Sequence, residues 1–417
     1  MATVDDVEAQ LGKSEDHPLV PGWQAPTLSS GFAGIALVHL YVARAASTSH
    51  QQSVGRHRAF EFIRAAAHRT DGFRGGPGLW AGSCGLALAL ADCCRDEPRF
   101  GPALARLQVQ VAEQVLATRW PREVGKVATF HYDLVHGAAG ALIHLCSIED
   151  PAPAVRHATE KIRDYLLWLC RPESGNGVAR RWLIDPEFYF PGARFRDTKT
   201  LPHGYLDVGM AHGAAGVLTA LATAWRAGYR CRGHHGAIVG VASWILEVRE
   251  RFDRDGHWPA FVPLTAAGTE GIGIGGNQLE WCYGSMGVAA ALLRAAEATE
   301  DRTVKRAALD AFDLALRRSA STEGSLSLCH GLAGMLAGCR EFAEAGSQAA
   351  RDALPVLAER LLGHADKALP FLYHDPRMPD ETVADLSLLN GAPGMALSLL
   401  SAAGGARPAW FSAVFGR

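Results

Sequence analysis

Two cysteines and a histidine occupy equivalent places in neighbouring segments of the sequence and carry its clearest chemical signal. Cys282 stands in WCYG, Cys329 stands in LCHG, and His330 directly follows the second cysteine. Two thiolates and one imidazole are the ligand set of a catalytic zinc site, because they leave a fourth tetrahedral position for water or substrate. Taken singly, each cysteine would be better explained as a buried core residue. Their equivalent positions in adjacent repeats predict instead one Zn²⁺ per chain, held by Cys282, Cys329 and His330.

A short internal repeat positions these residues. Two glycines three apart, followed by an apolar run, occur seven times, and the first glycines are Gly31, Gly82, Gly137, Gly213, Gly284, Gly331 and Gly391. Recurrence of this kind is typical of repeat architectures, and the intervals are long enough for two helices each. Each repeat therefore predicts a helical hairpin. We expect the first glycine to permit the turn and the second to let neighbouring backbones approach closely.

The two helices of each predicted hairpin differ in pattern. Residues 155–169 place apolar side chains along one stripe and charges opposite, as in an amphipathic outer helix. The segments after the glycines are apolar almost all round, as in a buried inner helix. The pattern predicts an all-α fold, an α/α toroid with a double ring of seven inner and about seven outer helices. An open solenoid is the alternative.

The composition of the chain excludes several classes of protein. Of 417 residues, 48% are apolar and 20% charged, which excludes wholesale disorder. We expect a polar N-terminal segment, residues 1–25, and a single toroid domain, residues 26–417. The formal net charge of -2 provides no basic field for nucleic acid. The nine scattered cysteines and the absence of a signal-like N-terminus favour a cytoplasmic location, and no membrane span is expected.

Two of the intervals between repeats are long and contain Pro-, Gly- and aromatic-rich segments, residues 183–204 and 257–280. Loops of this composition and length usually carry binding function, so we expect long irregular loops at the mouth of the pore. Phe188, Tyr189 and Phe190, together with the loop around Trp258, are candidate walls of a substrate groove.

The residue just before each first glycine forms a column that we call the rim column. Its members are Ser30, Ala81, His136, His212, Tyr283, His330 and Asn390. His212 lacks a preceding cysteine, so it is a poor ligand and a candidate proton donor or acceptor. Tyr283 could hydrogen-bond to a developing anion, and Asp133, in YDLVHG, could orient a histidine. Core packing for His212 and Tyr283, and helix capping for Asp133, are the alternatives. The rim column holds no carboxylate pair, which disfavours a toroid glycosidase.

WCYGSMG and LCHGLAG, preceded by YDLVHG and AHGAAG, closely resemble the motifs of the lanthipeptide cyclase family, the lanthionine synthetase C-like proteins, and the resemblance extends from about Trp23 onward. It implies zinc at Cys282, Cys329 and His330, with His212, Asp133 and Tyr283 nearby as acid/base and supporting residues. The implied reaction adds a peptide cysteine thiol to dehydroalanine or dehydrobutyrine and protonates the resulting enolate, which closes a thioether ring.

The same resemblance implies partners and a place in antibiotic biosynthesis. The substrate would be a dehydrated precursor peptide with its leader, and a dehydratase and an export transporter would be further partners, in a complex associated with the membrane. Addition of a small thiol such as glutathione to dehydrated residues is one alternative function. A non-catalytic zinc-binding scaffold is the other.

One position departs from the family pattern. Members usually carry an arginine three residues before the tryptophan of WCYG, and this chain has Gln278, which donates hydrogen bonds but supplies no charge. Arg194 or Arg196 could substitute for the missing cation. Without a cationic partner, a buried Asp133 is expected to have a raised pKa, because desolvation disfavours the carboxylate.

Overall fold

The structure is a computed structural model that describes residues 3–13, 23–69, 75–171, 181–189, 197–252, 256–276, 280–319, 324–369, 371–373, 385–404 and 407–417. The chain divides into two compact units. Unit 1 comprises Met1–Gly76, Trp80–Gln108 and Ser321–Phe411, and unit 2 comprises Pro77–Leu79, Val109–Ala320 and Ser412–Arg417. Both units are predominantly helical.

Seven helices begin at the seven glycine pairs, and in each the first glycine is the residue that caps the N-terminus. Most residues in each of them are buried, which agrees with the prediction of segments that are apolar almost all round. We call them the buried helices: α2 (Phe32–Ala45), α4 (Ser83–Cys94), α7 (Ala138–Cys146), α9 (Ala214–Arg226), α11 (Ser285–Thr299), α13 (Leu332–Ala345) and α15 (Ala392–Ala402).

Six longer helices alternate with the buried helices along the described residues. In α8 the predicted apolar stripe is fully buried, from Val155 through Ile162 to Leu169, while charged residues occupy the opposite face. These amphipathic helices are α3 (Ser49–His68), α5 (Gly101–Ala117), α8 (Pro153–Leu169), α10 (His234–Phe252), α12 (Arg302–Ser319) and α14 (Gln348–Gly363). Three shorter helices complete the set: α1 (Val4–Lys13), α6 (Thr129–Tyr132) and α16 (Phe411–Phe415). No helix in the described ranges is long and apolar enough to cross a membrane.

The buried helices pack side by side within each unit. In unit 1, α2 contacts α4 on one side and α15 on the other, and α15 contacts α13. The amphipathic helices α3 and α14 cover this row. In unit 2, α9 lies between α7 and α11, and α8, α10 and α12 pack against the three. Each unit thus repeats one arrangement, a buried helix followed by an amphipathic helix that covers it.

The first glycine of each pair permits the turn, as expected. Its φ is negative in all seven turns, so no left-handed conformation has to be accommodated. The constraint is steric, because a Cβ at Gly331 would lie 1.7 Å from the carbonyl oxygen of Ser325, and one at Gly391 would lie 1.9 Å from that of Asp385. The turn folds back so tightly on its own backbone that only glycine fits.

The second glycine fulfils the predicted role of close approach. A Cβ at Gly287 would lie 2.0 Å from the Trp281 carbonyl oxygen and 2.9 Å from the Cβ of Met210 in the preceding repeat. Gly34 and Gly394 show the same double contact, with their own turn and with the turn of a neighbouring repeat. The second glycine therefore fixes both the turn and the distance between neighbouring buried helices.

The two long segments between repeats are partly ordered as strands rather than wholly irregular. In unit 2, β1 (Tyr205–Asp207) pairs antiparallel with β2 (Phe261–Pro263), and Leu206 lies opposite Val262. Single bridges extend the pairing from Ile184 to Tyr205 and from Phe261 to Ile274. The insertions preceding α9 and α11 are thereby joined to each other, which fixes the turns that lead into both helices.

The last residues of unit 2 lie against α9 and α11. The Thr223 hydroxyl donates to the Gly416 carbonyl at 2.7 Å, the Trp281 indole donates to the Val414 carbonyl at 2.8 Å, and Arg417 forms an ion pair with Glu297. Trp281 is itself fully buried and directly precedes Cys282. Residues 412–417, which we call the C-terminal segment, therefore support the turn before α11.

Candidate functional site

Four of the seven rim-column residues, Ser30, His136, His330 and Asn390, donate their backbone N–H to a polar side chain three residues earlier. In the turn before α13, the His330 backbone N–H donates to the Ser327 hydroxyl at 3.1 Å, and the Asn390 N–H donates to Ser387 in the same way before α15. In the turn before α7, the Asp133 carboxylate accepts from the His136 N–H at 2.6 Å. These side-chain turns leave the rim residue with a fixed backbone direction.

In unit 2 the turns of consecutive repeats are joined by backbone hydrogen bonds. The Leu134 N–H donates to the Ala211 carbonyl at 3.0 Å, and the Ala211 N–H donates to the Cys282 carbonyl at 3.2 Å. A continuous line therefore runs through the third, fourth and fifth turns. It sets the spacing of the rim residues that follow, which are His136, His212 and Tyr283.

Asp133 and His212 form a short, buried hydrogen bond. His212 Nδ1 lies 2.6 Å from Asp133 Oδ2, and the carboxylate is only 1% exposed while the imidazole is 24% exposed. The other carboxylate oxygen, Oδ1, accepts from the N–H groups of His136 and Gly137. Both oxygens are satisfied, so the histidine ring is anchored to a rigid support while one edge remains accessible. Asp133 therefore closes the turn before α7 with one oxygen and contacts His212 with the other.

The predicted rise in the pKa of Asp133 is wrong. Burial does favour the neutral acid, but the hydrogen bonds from His136 and His212 and the positive charge of those rings outweigh it, and they hold the pKa of Asp133 well below its usual range. Asp133 is therefore an ionised carboxylate at neutral pH. The partners of this carboxylate are two imidazoles, those of His136 and His212, and no arginine of the described residues is among the causes of its lowered pKa.

His136 is the second imidazole beside this carboxylate. Its Nδ1 lies 3.5 Å from Asp133 Oδ2, and its ring is roughly parallel to that of His212 at a centroid separation of 6.4 Å. Burial lowers the pKa of His136, whereas the hydrogen bond to Asp133 and the negative charge of Asp133 raise it. The two raising effects together exceed the lowering one, so the pKa of His136 is above its usual value. With 45% of its side chain exposed, His136 connects the buried carboxylate with the surface of unit 2.

Tyr283 packs against the other side of His212. The two rings are 5.9 Å apart at their centroids with an interplanar angle of 26°, and Tyr283 also contacts Phe261 of β2 at 5.3 Å. Phe261 in turn contacts Tyr205 of β1, and Tyr205 contacts Tyr189. The small sheet therefore positions Tyr283, and Tyr283 limits the movement of the His212 ring.

Cys282 lies in the same unit, between Trp281 and Tyr283 in the turn before α11. Its side chain is buried, and its carbonyl accepts the Ala211 hydrogen bond described above. Gly209 passes so close to this turn that a Cβ there would lie 2.5 Å from the Cys282 carbonyl oxygen. The backbone of Cys282 is therefore held from two sides.

Cys329 and His330 are adjacent in the turn before α13 of unit 1. The Cys329 N–H donates to the Leu389 carbonyl at 2.8 Å, which ties this turn to the one before α15. The Cys329 side chain is buried and that of His330 is half-buried. A buried thiol next to a more accessible imidazole is an arrangement suited to soft or borderline metal ions.

The comparison with known families decides the assignment. The profile of the family described as lanthionine synthetase C-like protein matches residues 22–415. The chain belongs to this family. The match covers nearly the whole chain and includes every residue proposed above for chemistry, so the resemblance deduced from the four motifs is confirmed.

Two relatives illustrate the place of this lanthionine synthetase C-like chain. The nisin biosynthesis protein NisC of Lactococcus lactis subsp. lactis is 22% identical over 323 residues, which are 76% of this chain and 73% of NisC. The structure of nisin cyclase matches with a TM-score of 0.77 at 19% identity and covers 99% of this chain and 97% of that one. This likeness confirms the predicted fold class, an all-α α/α toroid.

Some predicted positions of this lanthionine synthetase C-like chain lie outside the described residues, namely Gln278, Phe190, Arg194 and Arg196. Of the predicted groove walls that are described, Phe188 and Tyr189 are half-buried at the edge of the sheet. Trp258 is a core residue instead, because it is completely buried and its indole donates to the Ile245 carbonyl at 2.8 Å.

His136 was not among the predicted site residues. The sequence did contain a signal for it, since His136 shares the rim column with His212 and His330. The rim column alone does not indicate that Asp133, from the same turn as His136, lies close to both the His136 and the His212 rings.

Proposed function

We propose that this protein is a zinc-dependent lanthipeptide cyclase, which adds cysteine thiols of a precursor peptide to dehydroalanine or dehydrobutyrine residues and forms lanthionine or methyllanthionine. One observation carries the proposal beyond family membership. A solvent-accessible imidazole, His212, is hydrogen-bonded to a buried, ionised carboxylate, Asp133, and packs against Tyr283, the residue next to Cys282.

The residues proposed to hold Zn²⁺ are Cys282, Cys329 and His330. Their donor set fits this ion, because two thiolates and a neutral imidazole are borderline-soft ligands and balance its charge. All three occupy turns whose backbones are fixed by hydrogen bonds to neighbouring turns, which suits a site with defined geometry. When bound, zinc would lower the pKa of the substrate thiol and present it as a nucleophile.

His212 is the residue that moves the proton. An ionised carboxylate can only accept a hydrogen bond, so His212 Nδ1 carries the hydrogen toward Asp133 and Nε2 is left as a base. Nε2 takes the proton released by the substrate thiol. After carbon–sulfur bond formation the same nitrogen returns that proton to the α-carbon of the enolate, and the neutral imidazole is restored. Asp133 stabilises the imidazolium between these two steps.

Tyr283 and Gln278 complete the proposed catalytic set. The ring of Tyr283 keeps His212 in orientation, and its hydroxyl would donate a hydrogen bond to the enolate oxygen. Gln278 would supply a further neutral hydrogen bond where other family members supply charge. Because His136 and His212 already accompany Asp133, the proposed mechanism does not need an arginine at position 278.

The proposed partners follow from this reaction. The substrate is a dehydrated precursor peptide with its leader, and Phe188 and Tyr189 are candidates for contact with it. A dehydratase must supply the dehydrated residues, and a transporter would export the product. We propose a cytoplasmic location, in association with a membrane-bound biosynthetic complex.

The proposal is tested by comparing ring formation and zinc content in wild type and in Cys282→Ala. Cyclisation does not change the mass of the peptide, so free thiols are counted by alkylation and mass spectrometry after incubation with a dehydrated, cysteine-containing peptide. Wild type purified without added zinc should consume peptide thiols and contain one zinc per chain, while Cys282→Ala should lose both and remain folded. Cys94→Ser, which changes a half-buried cysteine at the end of α4, is the matched control and should behave like wild type.

The outcomes separate the alternatives. An increase in peptide mass by one glutathione, with peptide thiols unconsumed, would replace the cyclase by a small-thiol transferase. Zinc binding by wild type without consumption of any thiol would replace it by a scaffold. Full zinc content in Cys282→Ala would refute the ligand assignment.

A further inference from the structure

A second group of metal-ligand side chains lies entirely within unit 2. Asp133, His136 and His212 each offer one ligand atom, and these atoms all lie within 4.8 Å of one another. His212 Nδ1 is 2.6 Å and His136 Nδ1 is 3.5 Å from the same carboxylate oxygen, Asp133 Oδ2. The two ring nitrogens therefore face a common point beside one buried oxygen.

These separations are close to those of a coordinated ion. Ligand atoms bound at about 2.0–2.1 Å in a tetrahedral site lie roughly 3.3 Å from one another. The two observed distances to Oδ2 lie on either side of this value, so only small side-chain rotations are needed. Asp133 Oδ1 is already held by two backbone N–H groups, which is the kind of support that orients a ligating carboxylate.

The backbone positions of His136 and His212 also favour a shared ligand for the two rings. His136 and His212 occupy the rim column at the third and fourth turns, the position that His330 occupies at the sixth. The hydrogen bond between Leu134 and Ala211 joins the third and fourth turns directly. Two histidines and one carboxylate suit Zn²⁺, Co²⁺ or Ni²⁺ far better than Ca²⁺ or Mg²⁺.

We propose that Asp133, His136 and His212 form a second, inhibitory site for a borderline divalent cation. Binding requires a lone pair on His212 Nδ1, so the proton that Nδ1 donates to Asp133 is released to solvent. The ion then holds His212 by the nitrogen that Asp133 had oriented, and Asp133 no longer stabilises an imidazolium. Metal binding at this site does not depend on the proposed function, whereas the inhibition rests on it.

Metal binding is tested first with Co²⁺ added to the metal-free protein. A cobalt ion bound by thiolates gives intense sulfur-to-metal charge-transfer absorption in the near ultraviolet, and one bound by nitrogen and oxygen gives only weak visible bands. Wild type should bind two equivalents, one with and one without charge-transfer absorption. Equilibrium dialysis against excess Zn²⁺ should likewise give two ions per chain.

His136→Gln identifies the second site, because it removes a half-exposed ligand while Asp133 and His212 keep their hydrogen bond. This variant should bind one equivalent, with full charge-transfer absorption. The matched control His235→Gln, which removes an exposed imidazole from α10 of the same unit, should retain two. In the cyclisation assay, excess Zn²⁺ should inhibit wild type and His235→Gln at least tenfold, while the activity that His136→Gln retains should not fall.

The results distinguish the two proposals. Two equivalents in His136→Gln, or a single thiolate-type equivalent in wild type, would overturn the second site and leave the cyclase intact. A single equivalent in wild type without charge-transfer absorption, lost in His136→Gln, would support the second site and refute zinc at the cysteines. Two equivalents without inhibition would refute the inhibitory role.

Discussion

The turn before α7, residues 133–137, and the turn before α13, residues 327–331, have the same local structure and different chemistry. In both, a side chain accepts a hydrogen bond from the N–H of the rim histidine, which is His136 in one and His330 in the other. The acceptor is a carboxylate in the first turn and a hydroxyl, from Ser327, in the second. A hydroxyl can accept this hydrogen bond with its single oxygen. A carboxylate can accept it with one oxygen, and its second oxygen remains available for another partner.

The spare oxygen of Asp133 is the one that holds His212. The same repeat position therefore holds only its own turn before α13, whereas before α7 it holds its own turn and the His212 ring of the next one. In a repeat protein, a hydrogen-bonded pair of carboxylate and histidine can arise from one substitution at a position that the fold already uses. This comparison can be tested by changing each turn toward the other.

The largest effect is expected from His212→Asn, which removes the proposed proton carrier and leaves both turns intact. Loss of general acid/base catalysis typically costs about 10²–10⁴-fold in rate, and cyclisation should fall by that amount. Zinc at the cysteines should be unchanged, because His212 is not assigned as one of its ligands. Thiol-consumption rates and elemental analysis measure the two quantities, and a rate near that of wild type would exclude His212 as the acid.

Asp133→Ser should give a smaller loss, because it converts the turn before α7 into the type found before α13. The serine hydroxyl can still accept from the His136 N–H, but His212 loses its oriented partner. Loss of a partner that orients a functional histidine lowers activity by roughly 10–100-fold, as at metal sites. Asp133→Ala, which also removes the turn acceptor, should be less stable than Asp133→Ser by about 1 kcal/mol in urea unfolding. Equal stability of the two variants would refute the structural half of the comparison.

The pH dependence of stability should test the charge interaction between Asp133 and His136. The folded-state pKa of Asp133 is lowered, so its contribution is present above its unfolded pKa of about 3.9 and disappears as the pH falls below it. The pKa of His136 is raised, so its contribution is present below about pH 6.5 and disappears as the pH rises through the folded value. The stability difference between wild type and Asp133→Ser should therefore peak between about pH 4.5 and 6.5. Urea unfolding across pH 3–8 measures it, and a flat difference would contradict the charge interaction.

The smallest effect is expected from Ser327→Ala. It removes the turn acceptor before α13 and should cost about 1 kcal/mol of stability. Ser387→Ala is the matched variant, because it removes the same bond before α15, where the rim residue is Asn390. Similar losses in the two variants would show that the turn is a general device of the repeat. A reduced zinc affinity in Ser327→Ala alone would show that it also orients His330.

The repeat made much of this molecule predictable from its sequence. The glycine pairs locate all seven buried helices because tight turns and close helix packing exclude a Cβ at fixed spacing, and that requirement is visible in one sequence. The pairing of Asp133 with His212 could only be suggested, since it depends on how far apart two neighbouring turns lie. The pKa of Asp133 was predicted in the wrong direction because its second partner, His136, comes from its own turn. The pairing of β1 with β2 was missed, because three-residue strands leave no pattern.

The C-terminal segment has a consequence for the order in which this chain can fold during synthesis. Residues 109–320 leave the ribosome well before residues 412–417, and the whole of 321–411, which belongs to unit 1, is made in between. At about 5–20 residues per second this interval lasts on the order of ten seconds. During this interval the Trp281 indole lacks its acceptor, the Val414 carbonyl, and the Thr223 hydroxyl of α9 lacks the Gly416 carbonyl. The turn that carries Cys282 is therefore completed only after the nascent chain has made nearly all of unit 1, so a ribosome that stalls before residue 412 would leave this part of unit 2 unfinished.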